Sequence, residues 1–378
     1  MNAIRTRSSY AARSLSALAA LALGLALAGP AAAAGGGAGS GAKATAASKD
    51  YDYYLTGSTT TSLPVPTPQM PAAISLLALV GGGTDVDEAF RRMVNQTGAS
   101  GASPMRFVVV RASGADGYNP YIPTLSSAVG SVETLVVKTA AGANLAFVVE
   151  KVRAAHAVFI AGGDQSDYVK LWNGSLLEQA LKDAMTANKP VGGTSAGLAV
   201  LGGVDFTALR GGVTSTQALL DPYNRYLTLG SDFIETAPQL TTTLLDSHFV
   251  TRDRLGRTVT FLARMSVDVG PKSLATAKAI GVNEETALMV SNGIGNVVGN
   301  CGLPGSTATH CNAYFLRPAG NPPGQLLAGK PLDWNSGVTM HKLSSGGGSF
   351  DLVNWLPSAG TAQVLSVSGG TVFPVNPY

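Results

Sequence analysis

The stretch PVGGTSAGLAVLGG (190–203) decides how this chain folds. An apolar approach, Pro190-Val191-Gly192, enters a glycine-rich bend, and a helix-like run follows from Ala196. Strand, tight turn and helix together form the unit of an α/β sheet. Upstream the same rhythm repeats. ISLLALV (74–80) is a continuous apolar run, as expected of a parallel strand buried on both faces, and RFVVV (106–110), VETLVV (132–137) and AVFIAGG (157–163) read as further buried strands. Between them, DVDEAFRRMV (85–94) is amphipathic and LAFVVEKVRAA (145–155) has helical period. SLLEQALKDAMTANK (175–189) consists of good helix formers with Ser175 at its start. The sequence thus predicts an α/β fold, a mostly parallel sheet flanked by helices. Ligands of such sheets bind beyond the carboxyl ends of the strands. Three glycine-rich strand ends are therefore expected at one crevice: Gly81–Gly83, Gly162–Gly163 and Gly192–Gly193.

The flanks read differently. Arg5, Arg7 and Arg13 precede the apolar run Leu15–Leu27, and Ala31–Ala34 offers an A-x-A type cleavage site. This is the pattern of a secretory signal peptide over residues 1–34, which predicts a secreted protein, extracellular or periplasmic. The run is short for a bilayer span and no later stretch reaches about 20 apolar residues, so no membrane association is expected of the mature form. Residues 35–71, with GGGAGSGAKATAAS and SLPVPTPQMP, read as a flexible linker or extended arm. A catalytic body is expected over 72–300. Beyond it, strand-like pieces such as NAYFLRP (312–318) among Gly, Pro, Asn and Ser predict a β-rich C-terminal extension over 301–378.

Composition narrows the classes. At 45% hydrophobic and 13% charged, the body can bury a core. The net charge of +3 is dispersed, with no lysine–arginine run, so nucleic acid is not an expected partner. Two cysteines, Cys301 and Cys311, suit a disulfide in an oxidising compartment. A metal site of Cys301, His310 and Cys311 would lack tight C-x-x-C spacing and a clear fourth ligand.

Gly193-Thr194-Ser195-Ala196-Gly197 fits G-x-S-x-G. In that pattern a serine occupies a sharp turn between strand and helix, and flanking glycines let the backbone pass without clashes. The following N–H points to the same side and can bind a developing oxyanion. A glycine-rich turn that merely packs a helix on the sheet would give the same pentapeptide. A serine nucleophile needs an adjacent base. Of the four histidines, His156 precedes a strand at the edge away from the crevice, and His310 and His341 lie in the irregular tail. His248 remains, at the polar end of the apolar strand TTTLLDSHF (241–249). Arg252, Arg254 and Arg257 follow it closely and could grip carboxylates in two-pronged fashion, or form a solvated helix face. A third group should orient the imidazole. The apolar strand AIGVNEETALMV (279–290) is interrupted by Asn283, Glu284 and Glu285, and burying acids there is unfavourable unless they are paired. Glu284 is the first candidate and Glu285 the second. Asp246, two residues from His248 on the same side of a strand, could also contact the base but is assigned a substrate role.

Four segments together, FIAGGDQ (159–165), GGTSAG (192–197), DSHFVTRDRLGR (246–257) and IGVNEETAL (280–288), resemble the peptidase family that holds cyanophycinase and aspartyl dipeptidase. The similarity runs over residues 74–290, and the arginine run is closer to cyanophycinases than to dipeptidases. The resemblance implies a class I glutamine amidotransferase-like, flavodoxin-like fold and a serine-type peptidase without metal or other cofactor. It implies Ser195 as nucleophile, His248 as base and Glu284 as its support, with the N–H groups of Gly163 and Ala196 as oxyanion hole. Gln165, Asp246, Arg252, Arg254 and Arg257 match positions that hold substrate. The implied substrate is cyanophycin, a polyaspartate backbone bearing arginine on each β-carboxylate, cleaved to β-Asp-Arg dipeptides, and the implied assembly is a homodimer. The alternatives are an aspartyl (di)peptidase of the same family and a noncatalytic polymer-binding relative. Two features depart from the pattern: Ser247 stands where cyanophycinases often have glutamine, and DPYNRYLTLGSDFIE (221–235) looks expanded.

Overall fold

Largely buried strands, of which Leu77–Val80 and Ala157–Ile160 are wholly apolar, set the centre of the molecule. In the computed structural model, which describes residues 43–68, 76–231, 233–234 and 237–378, five strands run parallel. Their order is Val129–Val137, Met105–Arg111, Ala157–Ile160, Val191–Thr194 and Leu77–Val80. Successive side chains alternate between the two faces of the sheet. Leu77, Leu79, Val108 and Val158 join one core with the helices Ala146–Arg153, Gln165–Trp172 and Leu176–Thr186. Ala78, Val80, Val109 and Phe159 join another with the helix Asp87–Gln96. The helix expected from residue 175 begins as read: Ser175 Oγ accepts from the Glu178 N–H at 3.2 Å, a cap of about 1 kcal/mol.

Antiparallel strands extend this sheet on both sides. Thr286–Ser291 pairs with Leu77–Val80, followed by Ile294–Gly299, Ser349–Asp351 and Leu356–Pro357. At the other edge, Tyr51–Gly57 pairs along its length with Val129–Val137. Residues 51–57 are therefore part of the sheet, and the expected flexible linker over 35–71 does not hold there. The run YDYYLTG is rich in β-forming aromatics. Tyr53 is buried against Phe147 and donates to the Glu133 carboxylate at 2.7 Å. The predicted signal peptide, residues 1–34, lies outside the described residues.

A second sheet has the order Thr371–Phe373, Thr361–Ser368, Trp334–Ser344, Asn312–Pro318, Lys278–Val282, Thr243–Asp246, Val204–Phe206 and Leu229–Ser231. Its Val204–Phe206, Thr243–Asp246 and Lys278–Val282 strands pair in parallel, and its other described neighbours pair antiparallel. The helices Ser215–Leu220 and Leu255–Val267 pack on it. The β-rich C-terminal region is present, but it completes both sheets: Asn312–Pro318 pairs with Lys278–Val282, and Ser349–Asp351 pairs with Ile294–Gly299. A sheet edge leaves a row of unpaired N–H and C=O groups, and these strands cover two such rows.

The run 279–290 is two strands. Lys278–Val282 belongs to the second sheet and Thr286–Ser291 to the first, so the chain changes sheets at Asn283-Glu284-Glu285. The acidic residues sit at that seam. Among the described residues no helix is long and apolar enough to cross a membrane.

Candidate active site

Three loops from two sheets converge on one turn. Val80, Gly81 and Gly82 end the strand Leu77–Val80, and their successive carbonyls accept from three different segments. Ser195 N–H donates to Val80 O at 3.1 Å, His248 N–H to Gly81 O at 2.8 Å, and Glu285 N–H to Gly82 O at 2.8 Å. Sequence reading brought Gly81–Gly83 to the crevice but did not foresee this role. Backbone pairing of this kind carries no residue-type signature beyond the glycines themselves.

Ser195 occupies the bend between the strand Val191–Thr194 and the short helix Ala196–Ala199, with φ 54° and ψ −113°. A side-chain-bearing residue is held in such a region only when its surroundings over-determine it. Here the surroundings are close. A Cβ on Gly197 would lie 2.1 Å from Ile160 O, so only glycine lets the helix start cross the neighbouring strand end.

From Ser195 a chain of hydrogen bonds runs through buried His248 to Glu284. Its Oγ lies 2.7 Å from His248 Nε2, and His248 Nδ1 lies 2.5 Å from Glu284 Oε1. With Nδ1–H donating to the carboxylate, Nε2 is left to accept from the serine hydroxyl. His248 is buried and itself has a positive φ of 47°. Burial foremost, then the guanidiniums of Arg254 and Arg252, pull its pKa down from 6.5 to about 3, so the ring is neutral near pH 7. A neutral imidazole between a hydroxyl and a carboxylate can take the hydroxyl proton as the oxygen attacks, with the carboxylate holding the tautomer.

Of the two acidic candidates, the structure places Glu284 on the imidazole. Glu285 turns away and accepts from Ser306 Oγ and Thr307 Oγ1, each at 2.7 Å. Ala196 is the first residue of a helix, where N–H groups lack intrahelical partners. Gly163 follows the strand Ala157–Ile160, which pairs with Val191–Thr194, so the turns bearing the two N–H groups are adjacent.

The five residues assigned to substrate separate into two groups. Asp246 is 3% exposed and both its oxygens are engaged. Arg257 reaches it through Nη2 at 2.5 Å and Nε at 2.9 Å, Arg254 through Nη1 at 3.2 Å, and Thr258 through Oγ1 at 3.0 Å. Burial alone would raise the Asp246 pKa, but Arg257 and Arg254 outweigh it and hold it below the ordinary carboxylate range. Arg257 is buried beside the Phe206 ring, and Arg254 also donates to Ser247 O at 2.8 Å. Asp246, Arg254 and Arg257, assigned to substrate from the sequence, lie in this structure in one ion-paired cluster beneath the His248 loop. Asp246 ends the strand Thr243–Asp246, and its partners come from the following helix Leu255–Val267 and the residue before it, Arg254. Arg252 is exposed, and the carboxylate acting on it most strongly is Glu284. Gln165 opens the helix Gln165–Trp172, half-buried, with Nε2 3.3 Å from Phe206 O. These two remain at the rim.

Cys301 and Cys311 are joined in a disulfide, which removes them as metal ligands.

The curated proteins include no match to this sequence. Among solved structures, the chain is similar to a peptidase from an acI-B1 Actinobacterium, with 18% identity, covering 74% of this chain and 98% of that one, at a TM-score of 0.46. It is also similar to a candidate peptidase E from Listeria monocytogenes EGD-e, with 12% identity, covering 60% of this chain and 99% of that one, at a TM-score of 0.40. In sequence, residues 77–210, from the first parallel strand through the Ser195 turn, match the family model for Peptidase family S51.

Proposed function

We propose that this protein is a serine-type peptidase in which Ser195, His248 and Glu284 act as the catalytic triad. The observation that carries the reading is the unbroken hydrogen-bonded chain from Glu284 through His248 to Ser195, which sits on a strained strand-to-helix turn. Ser195 Oγ adds to a peptide carbonyl carbon while His248 Nε2 takes its proton. The C–N bond breaks as that proton passes to the leaving amine, giving an acyl-enzyme. Water repeats the sequence and releases the acid. The N–H groups of Gly163 and Ala196 are assigned to the developing oxyanion.

The substrate class proposed is the aspartate-rich backbone of cyanophycin. Arg252, exposed beside the triad, is the group best placed to meet a substrate carboxylate. A polymer of that size must be digested outside the cell that feeds on it. The Cys301–Cys311 disulfide and the leader-like first residues are consistent with such a location.

Purified protein incubated with insoluble cyanophycin should clear the suspension and release arginine-bearing dipeptides. Hydrolysis of free aspartyl dipeptides with inert polymer would move the assignment to a dipeptidase. Binding of polymer without turnover would make the chain a noncatalytic relative.

A further inference from the structure

Glu284 stands in the middle of a three-residue turn, and both its neighbours are tied to one loop. Asn283 Nδ2 donates to His310 O at 2.9 Å. The Glu285 carboxylate accepts from Ser306 Oγ and Thr307 Oγ1 at 2.7 Å and from Thr307 N–H at 3.2 Å. Ser306, Thr307 and His310 all lie in the segment 301–311, whose ends are joined by the Cys301–Cys311 disulfide. Main-chain bonds add to the fastening: Asn300 N–H donates to Glu285 O at 3.0 Å, and Asn283 N–H to Asn312 O at 3.1 Å. Glu285 is held at φ 53°.

The turn needs such fastening. The Glu284 side chain is 28% exposed, so water competes for its carboxylate. Its aim at His248 Nδ1 is set mainly by where the backbone holds it. A free loop of this length, rich in Gly, Ser and Thr, would lose considerable entropy on becoming an anchor, and joining its ends reduces that loss in advance.

We propose that the disulfide-closed loop 301–311, by gripping Glu285 and Asn283, aims the Glu284 carboxylate at His248, which makes Glu285 a positioning residue. It touches none of the reacting atoms. The proposal rests on the serine-peptidase reading for its kinetic consequence, but the aim of Glu284 can also be read without turnover.

The test uses the full chain with three readouts: kcat and KM on peptide substrate, the pH dependence of kcat/KM, and the low-field proton resonance of His248 Nδ1–H. Glu285→Gln removes the carboxylate while keeping the side-chain shape, and Cys301→Ser with Cys311→Ser opens the loop. Each should lower kcat about 10-fold with KM unchanged, as expected for a misaimed catalytic group. Each should also shift the acid limb to lower pH, because the imidazolium loses its aligned carboxylate, and move the Nδ1–H resonance upfield. Should Glu285→Gln not fold, the pair Ser306→Ala and Thr307→Val removes the two hydroxyl donors to the Glu285 carboxylate from the loop side and should behave alike. Wild-type kcat, pH limb and Nδ1–H resonance in these variants would overturn the proposal. If wild type neither cleaves peptide nor reacts at Ser195 with a fluorophosphonate, the peptidase reading fails. The resonance then still decides whether the loop aims Glu284.

Discussion

A Cβ placed on Gly82 would lie 2.3 Å from His248 Cε1 and 2.6 Å from Nε2, so the imidazole rests directly on bare backbone. Gly82 also has φ +98°, a conformation that a side chain disfavours. Its carbonyl meanwhile holds Glu285 N–H at 2.8 Å. One residue thus seats the ring from below and fixes the turn that presents Glu284.

Gly82→Ala is therefore expected to push the imidazole off Ser195. A displacement of this size should lower kcat on the order of 100-fold. Steady-state kinetics beside a melting curve would separate this from global unfolding, and a fully active alanine variant would contradict the ring's seating.

Ser195→Ala should leave the fold intact and reduce hydrolysis by at least about 1,000-fold, because the attacking oxygen is gone. Glu284→Gln should retain the geometry but disfavour the tautomer with Nδ1–H, with a kcat loss on the order of 100-fold or more. Circular dichroism with a polymer-clearing assay checks both. Retained clearing by the alanine variant would move the nucleophile elsewhere.

The pH dependence follows from burial of His248. Its folded pKa of about 3 lies below the ordinary 6.5, so the base stays neutral well into acid and the acid limb of kcat/KM should lie below pH 6.5. Between those values the unfolded chain binds a proton that the folded one does not. Stability should therefore decline as pH drops from 6.5 toward 3. Activity profiles and denaturant midpoints over that window measure the two effects. An acid limb above pH 6.5 would show that the ring is more easily protonated than its surroundings imply.

Asp246→Ala leaves two guanidiniums without their buried carboxylate, and a loss of about 3–5 kcal/mol in stability is expected. Because the Asp246 pKa is lowered in the fold, its contribution is present above the ordinary carboxylate range and is lost as pH falls through the folded value. Urea unfolding with KM measurements distinguishes the structural role from a substrate role, which would raise KM in a stable protein.

Arg252→Ala should do the opposite, raising KM for acidic substrates several-fold while the midpoint stays put. The side chain is exposed and its contribution is to an incoming carboxylate. An unchanged KM would place substrate recognition elsewhere on the rim.

The alternation of apolar strands with helices was legible because buried parallel strands must be apolar on both faces, and Leu77–Val80 or Ala157–Ile160 show this without ambiguity. The G-x-S-x-G turn was legible because close backbone crossings admit only glycine, as at Gly197. Tyr51–Gly57 was missed because the flanking Gly, Ala and Pro residues masked a short strand whose partner, Val129–Val137, lies far along the chain.

By itself, the sequence determined the layered α/β body, the serine on its bend and the choice of His248, since each depends on local pattern or on the scarcity of a residue type. Only the tertiary structure decided which acid reaches the imidazole and what Asp246 pairs with. It also decided that Lys278–Val282 and Thr286–Ser291 belong to different sheets. Those outcomes depend on packing between segments that the chain order keeps apart, which sets the partners of each carboxylate and the sheet each strand joins.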